Sequence, residues 1–178
     1  LTGDHSSIVD SEAVYTSLEY NQDILGYGFL LEGDHSSVVD STANSHYSGP
    51  GFLLNGNHSS VVRGTAFNNA ANGFILSGDD SRVEGSVAYN NVLSGFYLSG
   101  NASVVVDSTA NNNEDGIVLQ GDYSIVEGSV AHSHDSGSGF LLQGDHSSVV
   151  DSMASENSFM GFSVDGDHSS VVGSTATN

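Results

Sequence analysis

The sequence GDHSSVVDST at residues 33–42 decides the fold, because the chain repeats it. It returns as GDHSSVVDSM at residues 144–153 and as GDHSSVVGST at residues 166–175. A single active site would need such a segment only once. Repetition this close indicates a structural unit that the chain uses many times.

The glycine that opens this segment marks a repeat of about 22 residues. After a first interval of 30 residues, successive opening glycines are 21 to 23 residues apart. In every repeat, serine follows this glycine by three residues, valine or isoleucine by five and alanine by ten, and a segment like G-F-x-L comes late in the repeat. The opening glycines are Gly3, Gly33, Gly56, Gly78, Gly100, Gly121, Gly144 and Gly166.

Each repeat has room for three short strands with turns between them, but it is too short to bury its own apolar side chains. Apolar and polar residues alternate around the valine and around the G-F-x-L segment, and a period of two indicates strands. The repeats must therefore stack, with equivalent residues about 4.8 Å apart. We predict an all-β, single-stranded parallel β-helix (β-solenoid) of about eight coils, one coil per repeat. It forms a single domain over residues 1–178, and the longer first repeat predicts an inserted loop at residues 14–28.

A column of asparagines runs through the repeats, thirteen residues after the opening glycine, with histidine in two of its places. Stacked amides at a bend can donate hydrogen bonds from one coil to the next. We therefore predict a ladder formed by Asn69, Asn91, Asn113 and Asn157, with His46 and His134 in line.

The combined pattern G-F-x-L-x-G-x-x-S-x-V-x-x-S-x-A-x-x-N resembles the repeats of right-handed parallel β-helix proteins over essentially the whole chain. These include pectate-lyase-like sugar enzymes, archaeal and bacterial surface proteins, and the copper-maturation proteins of nitrous oxide reductase. The resemblance implies a right-handed coil. It implies no single function, because the same coil carries lyases, hydrolases, epimerases, phage tailspikes and inert stalks.

The chain carries 22 acidic residues against two arginines and no lysine, a formal net charge of −20. We expect neither nucleic acid nor an anionic membrane surface as a partner, because this charge would repel both. No run of about 18 apolar residues occurs, so we expect no membrane insertion. Acidic residues spread over the whole chain suit high salt, which screens their repulsion, and we hypothesise a halophilic source. Because the chain starts at Leu1, we expect a fragment or a processed portion of a longer protein.

The middle residue of the G-F-x-L strand is apolar in six of seven repeats. If its neighbours point inward, this residue points outward, and the repeats together expose an apolar stripe. Scattered surface apolar residues are the alternative interpretation. We interpret the stripe as an oligomer contact, which predicts a homo-oligomer or a fibre. Its apolar residues are Leu30, Leu53, Ile75, Tyr97, Val118 and Leu141.

Tyrosines gather where the repeats differ most in length. Tyr15, Tyr20 and Tyr27 lie in the inserted loop, and Tyr47 lies at the same corner one repeat later. Tyrosine-rich loops on a rigid scaffold suit sugar stacking, so we consider these residues a candidate ligand site for a glycan. The alternative is a loop that packs its aromatic side chains over an open end of the helix.

An Asp-His pair follows the opening glycine in several repeats. Stacked carboxylates could hold calcium or another cation, and imidazoles could add ligands. The alternative is a turn in which the aspartate accepts hydrogen bonds from its own backbone. A second candidate metal site is the His132, His134 and Asp135 cluster. The candidate metal residues of the column are Asp4, His5, Asp34, His35, Asp145, His146, Asp167 and His168.

Two N-glycosylation sequons occupy the same turn, two repeats apart. They are Asn57-His58-Ser59 and Asn101-Ala102-Ser103. The repeat itself imposes the serine, so chance can also produce them. We consider Asn57 and Asn101 candidate glycosylation sites.

The sequence leaves enzymatic activity open but favours none. A lyase of this fold needs a basic residue, and Arg63 and Arg82 are the only ones apart from histidine. A glycosidase needs two suitably spaced carboxyl groups. Asp79-Asp80 resembles the paired aspartates of polygalacturonases, but the accompanying basic motif is missing. We name no catalytic residue.

We expect an extracellular or cell-surface structural and adhesive β-solenoid that associates with itself, in a surface layer, an appendage or a viral fibre. The alternative is a carbohydrate-binding or carbohydrate-active module, similar to polysaccharide lyases or hydrolases. A glycan is the expected ligand of that alternative.

Overall fold

The computed structural model of the chain describes residues 1–14 and 26–178. Within these ranges every regular element is a β-strand of three residues, and no helix is present that could cross a membrane. Most of the predicted inserted loop, including Tyr15 and Tyr20, lies outside the described residues. The strands are β1 (Ser7–Val9), β2 (Glu12–Val14), β3 (Phe29–Leu31), β4 (Ser37–Val39), β5 (Thr42–Asn44), β6 (Phe52–Leu54), β7 (Ser60–Val62), β8 (Thr65–Phe67), β9 (Phe74–Leu76), β10 (Arg82–Glu84), β11 (Val87–Tyr89), β12 (Phe96–Leu98), β13 (Val104–Val106), β14 (Thr109–Asn111), β15 (Ile117–Leu119), β16 (Ile125–Glu127), β17 (Val130–His132), β18 (Phe140–Leu142), β19 (Ser148–Val150), β20 (Met153–Ser155), β21 (Phe162–Val164), β22 (Ser170–Val172) and β23 (Thr175–Thr177).

The strands form three parallel sheets, and each coil gives one strand to each sheet. Sheet A has the order β1-β4-β7-β10-β13-β16-β19-β22, sheet B has β2-β5-β8-β11-β14-β17-β20-β23, and sheet C has β3-β6-β9-β12-β15-β18-β21. Seven complete coils run from β3 to β23 and β1–β2 precede them, close to the eight that the sequence predicts. Val61, Val83 and Val105 align in sheet A as predicted. The predicted parallel β-helix is confirmed.

Like side chains stack on like in the interior. In sheets A and B the middle residue of a typical strand is buried, whereas in sheet C the first and third residues are buried. The rings of Phe52 and Phe74 lie 4.7 Å apart at an interplanar angle of 5°. Identical side chains can repeat this contact from coil to coil, so three-residue strands are enough to build a continuous core.

The predicted asparagine ladder is confirmed at the corner between sheets B and C. Asn91 donates from Nδ2 to Asn113 Oδ1 at 3.0 Å and to the carbonyl of Ala66 at 3.1 Å. Asn69 donates from Nδ2 to Asn91 Oδ1 at 2.9 Å. These amides are almost completely buried. The ladder therefore satisfies buried backbone groups at a bend where the strands cannot.

Left-handed backbone conformations close the corners. His35, Asp40 and Ser45 have φ values of 55°, 49° and 60°, one at each of the three corners of a coil, and Asn68 has 55° at the position equivalent to Ser45 in the next coil. Asn and Asp tolerate this region better than other non-glycine residues. This preference explains why the corners are rich in these residue types.

Candidate functional site

Charge is confined almost entirely to the corners. The strands of sheet C contain no charged residue, and those of sheet B contain only Glu12, at the first strand. Sheet A carries Arg82, Glu84 and Glu127 in its strands. A chain with a net charge of −20 therefore presents one face whose strands carry no charge and another whose strands carry only Glu12. These two faces differ in chemistry, because sheet C is apolar and sheet B is mixed.

The outer face of sheet B carries a column of aromatic and polar side chains, which we call the aromatic–amide column. Phe67 and Tyr89 occupy its centre, with ring centroids 4.8 Å apart and an interplanar angle of 2°. Parallel pairing continues the column with amide and imidazole groups on both sides of the rings. Its residues are Asn44, Phe67, Tyr89, Asn111 and His132.

A second column runs beside it on the same face, two residues earlier in each strand. It carries hydroxyl groups on Thr42, Thr65 and Thr109. Val87 lies between Thr65 and Thr109, and Val130 follows Thr109. The side-chain Oδ1 of Asn111 is buried and has no hydrogen-bond partner within the described ranges. Flat rings offer stacking to the apolar face of a sugar, and the neighbouring amides and hydroxyls offer hydrogen bonds to its hydroxyl groups.

The structure separates the predicted His132, His134 and Asp135 cluster. His132 lies on the outer face of sheet B, where Nδ1 is 3.2 Å from Ser133 Oγ. His134 is completely buried in the asparagine ladder, and its Nδ1 accepts the backbone N–H of Asn113 at 3.2 Å. Neighbouring residues of one coil thus point to opposite sides of the wall. Burial lowers the pKa of His134, an effect that the backbone contact with Asn113 partly offsets.

The aspartates of the Asp-His column form a second ladder, on the corner between sheets C and A. Asp34 Oδ1 accepts the backbone N–H of Asn57 at 2.7 Å, and Asp145 Oδ1 accepts that of Asp167 at 2.7 Å. Each donor belongs to the next coil. The turn that the sequence suggested as an alternative to a metal site would instead have its donor in the same turn. Asn57 and Asn101 also accept a backbone N–H of the next coil, with their amide oxygens. We call this arrangement the acidic ladder.

Imidazole rings stack beside the acidic ladder. The centroids of His5 and His35 are 5.0 Å apart, and those of His35 and His58 are 4.8 Å apart. The carboxylates that accept a backbone N–H of the next coil include those of Asp4, Asp34 and Asp145. Asp167 donates its own backbone N–H to Asp145. Among residues 1–14 and 26–178, no group of three or more histidine, aspartate or glutamate side chains is placed to hold a metal ion. A structural role accounts for this column.

The predicted apolar stripe lies in register on the outer face of sheet C. Five of its residues are half-buried and Val118 is only 4% exposed, so the stripe exposes less apolar surface than the sequence suggests. Tyr97 donates a hydrogen bond to Gln120, and Gln120 donates to Gln143 at 3.0 Å. These polar side chains follow the rim of the stripe.

The candidate ligand tyrosines do not form one site in the described residues. Tyr27 is half-buried and lines an open depression together with Leu1 and His46. Tyr47 is 64% exposed at the corner between sheets B and C. Tyr15 and Tyr20 lie outside the described ranges.

Both arginines are paired with carboxylates. Arg63 donates to Asp40 through Nε at 2.5 Å and through Nη2 at 2.7 Å, and these hydrogen bonds lower the pKa of Asp40. Arg82 lies 3.0 Å from Glu84. The two positive side chains of the chain thus belong to local ion pairs.

Residues 13–153 match the family described as a right-handed beta helix region. The chain belongs to the right-handed β-helix family. This assignment also gives the hand of the coil that the sequence resemblance implied. No curated protein matches the chain in sequence.

Two solved structures show the same architecture as this β-helix. The A-module of the mannuronan C-5 epimerase AlgE4 from Azotobacter vinelandii superposes with a TM-score of 0.76 at 13% identity, covering 97% of this chain and 53% of that one. The pectate lyase Pel9A superposes with a TM-score of 0.64 at 17% identity, covering 98% and 54%. The chain spans about half the length of each. At such identities the likeness establishes the shared fold.

The buried histidines predict that acid destabilises the β-helix as the pH falls below about 6.5. Burial lowers the pKa of His46 and His134 below the usual value for histidine, so the unfolded chain binds more protons in this window. Stability is therefore full above about pH 6.5 and falls as the pH drops through the lowered pKa values. We expect the melting temperature to decrease by a few degrees, as measured by circular dichroism.

Replacing both histidines with asparagine provides the test. Asn69, Asn91 and Asn113 already occupy the same column, so the His46→Asn/His134→Asn variant should fold and lose most of this pH dependence. His132→Asn, on the outer face, is the matched control and should keep the dependence. An unchanged pH profile in the double variant would contradict the assignment.

Proposed function

We propose that the chain is a carbohydrate-binding β-helix that holds an uncharged, extended polysaccharide along the outer face of sheet B. One observation carries the proposal. The Phe67–Tyr89 stack lies between amide, imidazole and hydroxyl side chains on a sheet face whose strands hold no charged residue after Glu12. Aromatic platforms flanked by hydrogen-bonding groups are the chemistry that sugars require.

The repeat of the coil suits a repeating ligand. Equivalent side chains recur about every 4.8 Å along the axis, and successive sugars of an extended chain advance by a similar distance. Neighbouring coils can therefore present equivalent contacts to neighbouring sugars. Support for a polysaccharide also comes from the two structural relatives, whose names refer to mannuronan and to pectate.

Charge favours a neutral polymer over an acidic one. The net charge of −20 repels polyuronates over distances of about a Debye length, and both arginines are engaged by Asp40 and Glu84. The site offers stacking and hydrogen bonding, so binding is the function that it supports best.

The test is calorimetric titration with hexasaccharides of neutral β-linked glucose, mannose and xylose, and with hexagalacturonate. We expect a neutral oligosaccharide to bind, and Tyr89→Ala to weaken binding about tenfold or more, since loss of one stacking partner costs on the order of 1.4 kcal/mol. Tyr123→Ala is the control, because Tyr123 is an exposed tyrosine that stacks on His146 at the distant corner between sheets C and A.

Tighter binding of hexagalacturonate, or unchanged affinity in Tyr89→Ala, would reject this site.

Self-association through the sheet C stripe is the second candidate function, favoured by the uncharged column of Leu30, Leu53, Ile75, Tyr97 and Leu141. Light scattering on the same samples separates the two functions. A mass that rises with salt and returns to the monomer value in Leu53→Ser/Ile75→Ser would favour assembly. We propose an extracellular or cell-surface location for either function.

A further inference from the structure

We propose that Asn57 and Asn101 are N-glycosylation sites, and that the fold is built to carry a glycan at these two positions. Both residues are exposed, and both stand in the acidic ladder where the six other coils have aspartate. The ladder uses one atom of each side chain, the oxygen. What remains is the amide nitrogen, the atom to which an N-glycan is attached.

The two atoms of each amide have different tasks. Asn57 Oδ1 accepts the backbone N–H of Asp79 at 2.9 Å, and Asn101 Oδ1 accepts that of Asp122 at 2.9 Å. Neither Nδ2 donates to a protein acceptor within the described ranges, although elsewhere in the chain the Nδ2 of Asn91 makes two hydrogen bonds. A glycan on Nδ2 replaces one hydrogen and leaves Oδ1 an acceptor. The modification therefore preserves the ladder.

The serine of each sequon shows at which stage of folding the glycan must be attached to the asparagine. Ser59 is 1% exposed and Ser103 is completely buried, so a transferase cannot reach them in the finished coil. Transfer therefore precedes closure of these coils. Nδ2 then forms a bond to C1 of a sugar carried on a lipid phosphate or diphosphate. The C1–O bond breaks, the lipid phosphate leaves with the electron pair, and the amide loses a proton to the enzyme's base.

The position is compatible with the proposed binding face. The acidic ladder follows the corner between sheets C and A, which is the corner that sheet B does not share. Asn57 and Asn101 are two coils apart on this corner, a separation of about 10 Å along the axis. Two glycans would cover the region of the stacked histidines and leave the aromatic–amide column open.

Secretion of the chain from a eukaryotic host tests the proposal, with intact mass and glycopeptide mass spectrometry as the readout. We expect two glycans, one lost in Asn57→Asp and the other in Asn101→Asp. Both variants should fold unchanged, because aspartate fills the same ladder in other coils. Asp79→Asn is the matched control that creates a new site. The new asparagine would form a sequon with Asp80 and Ser81 at the same corner, so this variant should carry a third glycan.

Secreted, folded protein with unmodified Asn57 and Asn101 would overturn the proposal and leave relief of stacked carboxylates as the reason for asparagine. A second measurement tests the structural part. Enzymatic removal of the glycans, which converts asparagine to aspartate, should change the melting temperature by no more than about 2 °C. A larger change in either direction would contradict the independence of the glycan and the ladder.

Discussion

Replacing Gly78 with alanine is expected to lower the free energy of unfolding by about 4 kcal/mol or more. A Cβ at this position would lie 2.1 Å from the carbonyl oxygen of Gly56 and 2.7 Å from the backbone nitrogen of Asn57. Both atoms belong to the backbone of the neighbouring coil, which cannot yield without breaking the hydrogen bonds between coils. The stack must open at this corner. We expect the melting temperature to fall by about 10 °C or more.

Gly3→Ala is the control at the same position of the repeat. Among residues 1–14 and 26–178, a Cβ on Gly3 would meet only Ser6 Oγ, at 3.7 Å. The same substitution should therefore change the melting temperature by less than about 2 °C, measured by circular dichroism on both variants. Equal effects at Gly3 and Gly78 would show that the contact between coils is not the reason for glycine.

Asn91→Leu is expected to cost about 4 kcal/mol, although leucine has the same number of side-chain heavy atoms as asparagine, branched at the same carbon. Asn91 Oδ1 accepts hydrogen bonds from the backbone N–H and from Nδ2 of Asn69, at 3.1 and 2.9 Å. The substitution leaves these donors buried and unpaired, and it also removes the donor to the carbonyl of Ala66. Each buried polar group left without a partner costs about 1–3 kcal/mol. Chemical denaturation of both proteins measures the difference.

Asn90→Ser is the neighbouring control. Asn90 is exposed at the corner, where Ser45 and Ser133 occupy the equivalent positions of other coils with similar backbone angles. We expect its effect on the free energy of unfolding to stay within about 0.5 kcal/mol. If Asn91→Leu were as mild as Asn90→Ser, the ladder would contribute little to stability.

The repeat makes most of the fold predictable from the sequence. Val83 could be placed inside and over Val61 because both stand five residues after an opening glycine, and stacking in register requires like to lie over like. The same reasoning placed Asn91 over Asn69. Predictions of this kind succeed because local alternation and the repeat period point to the same structure.

The candidate site was harder to predict, because it lies where the repeats differ. Phe67 and Tyr89 stand in a column that otherwise holds valine, asparagine, histidine, serine and threonine, so no repeated residue marks it. The signal was nevertheless present, as two aromatic residues 22 positions apart, each directly after the repeated alanine. The hydrogen bonds that the acidic ladder makes between coils were missed, since the partner of Asp34 is one repeat away and a turn motif suggests a local partner.

Because the sheets grow by one strand per coil, each described strand pairs only with strands of the coil before and the coil after it. The length of the β-helix along its axis can therefore change in evolution while the kind of contact between coils stays the same. Duplication or loss of one repeat unit would alter the reach of the molecule by about 4.8 Å and leave every neighbouring contact of the same kind. An insertion of any other length must loop out at a corner, which is where the variable segments of this protein occur.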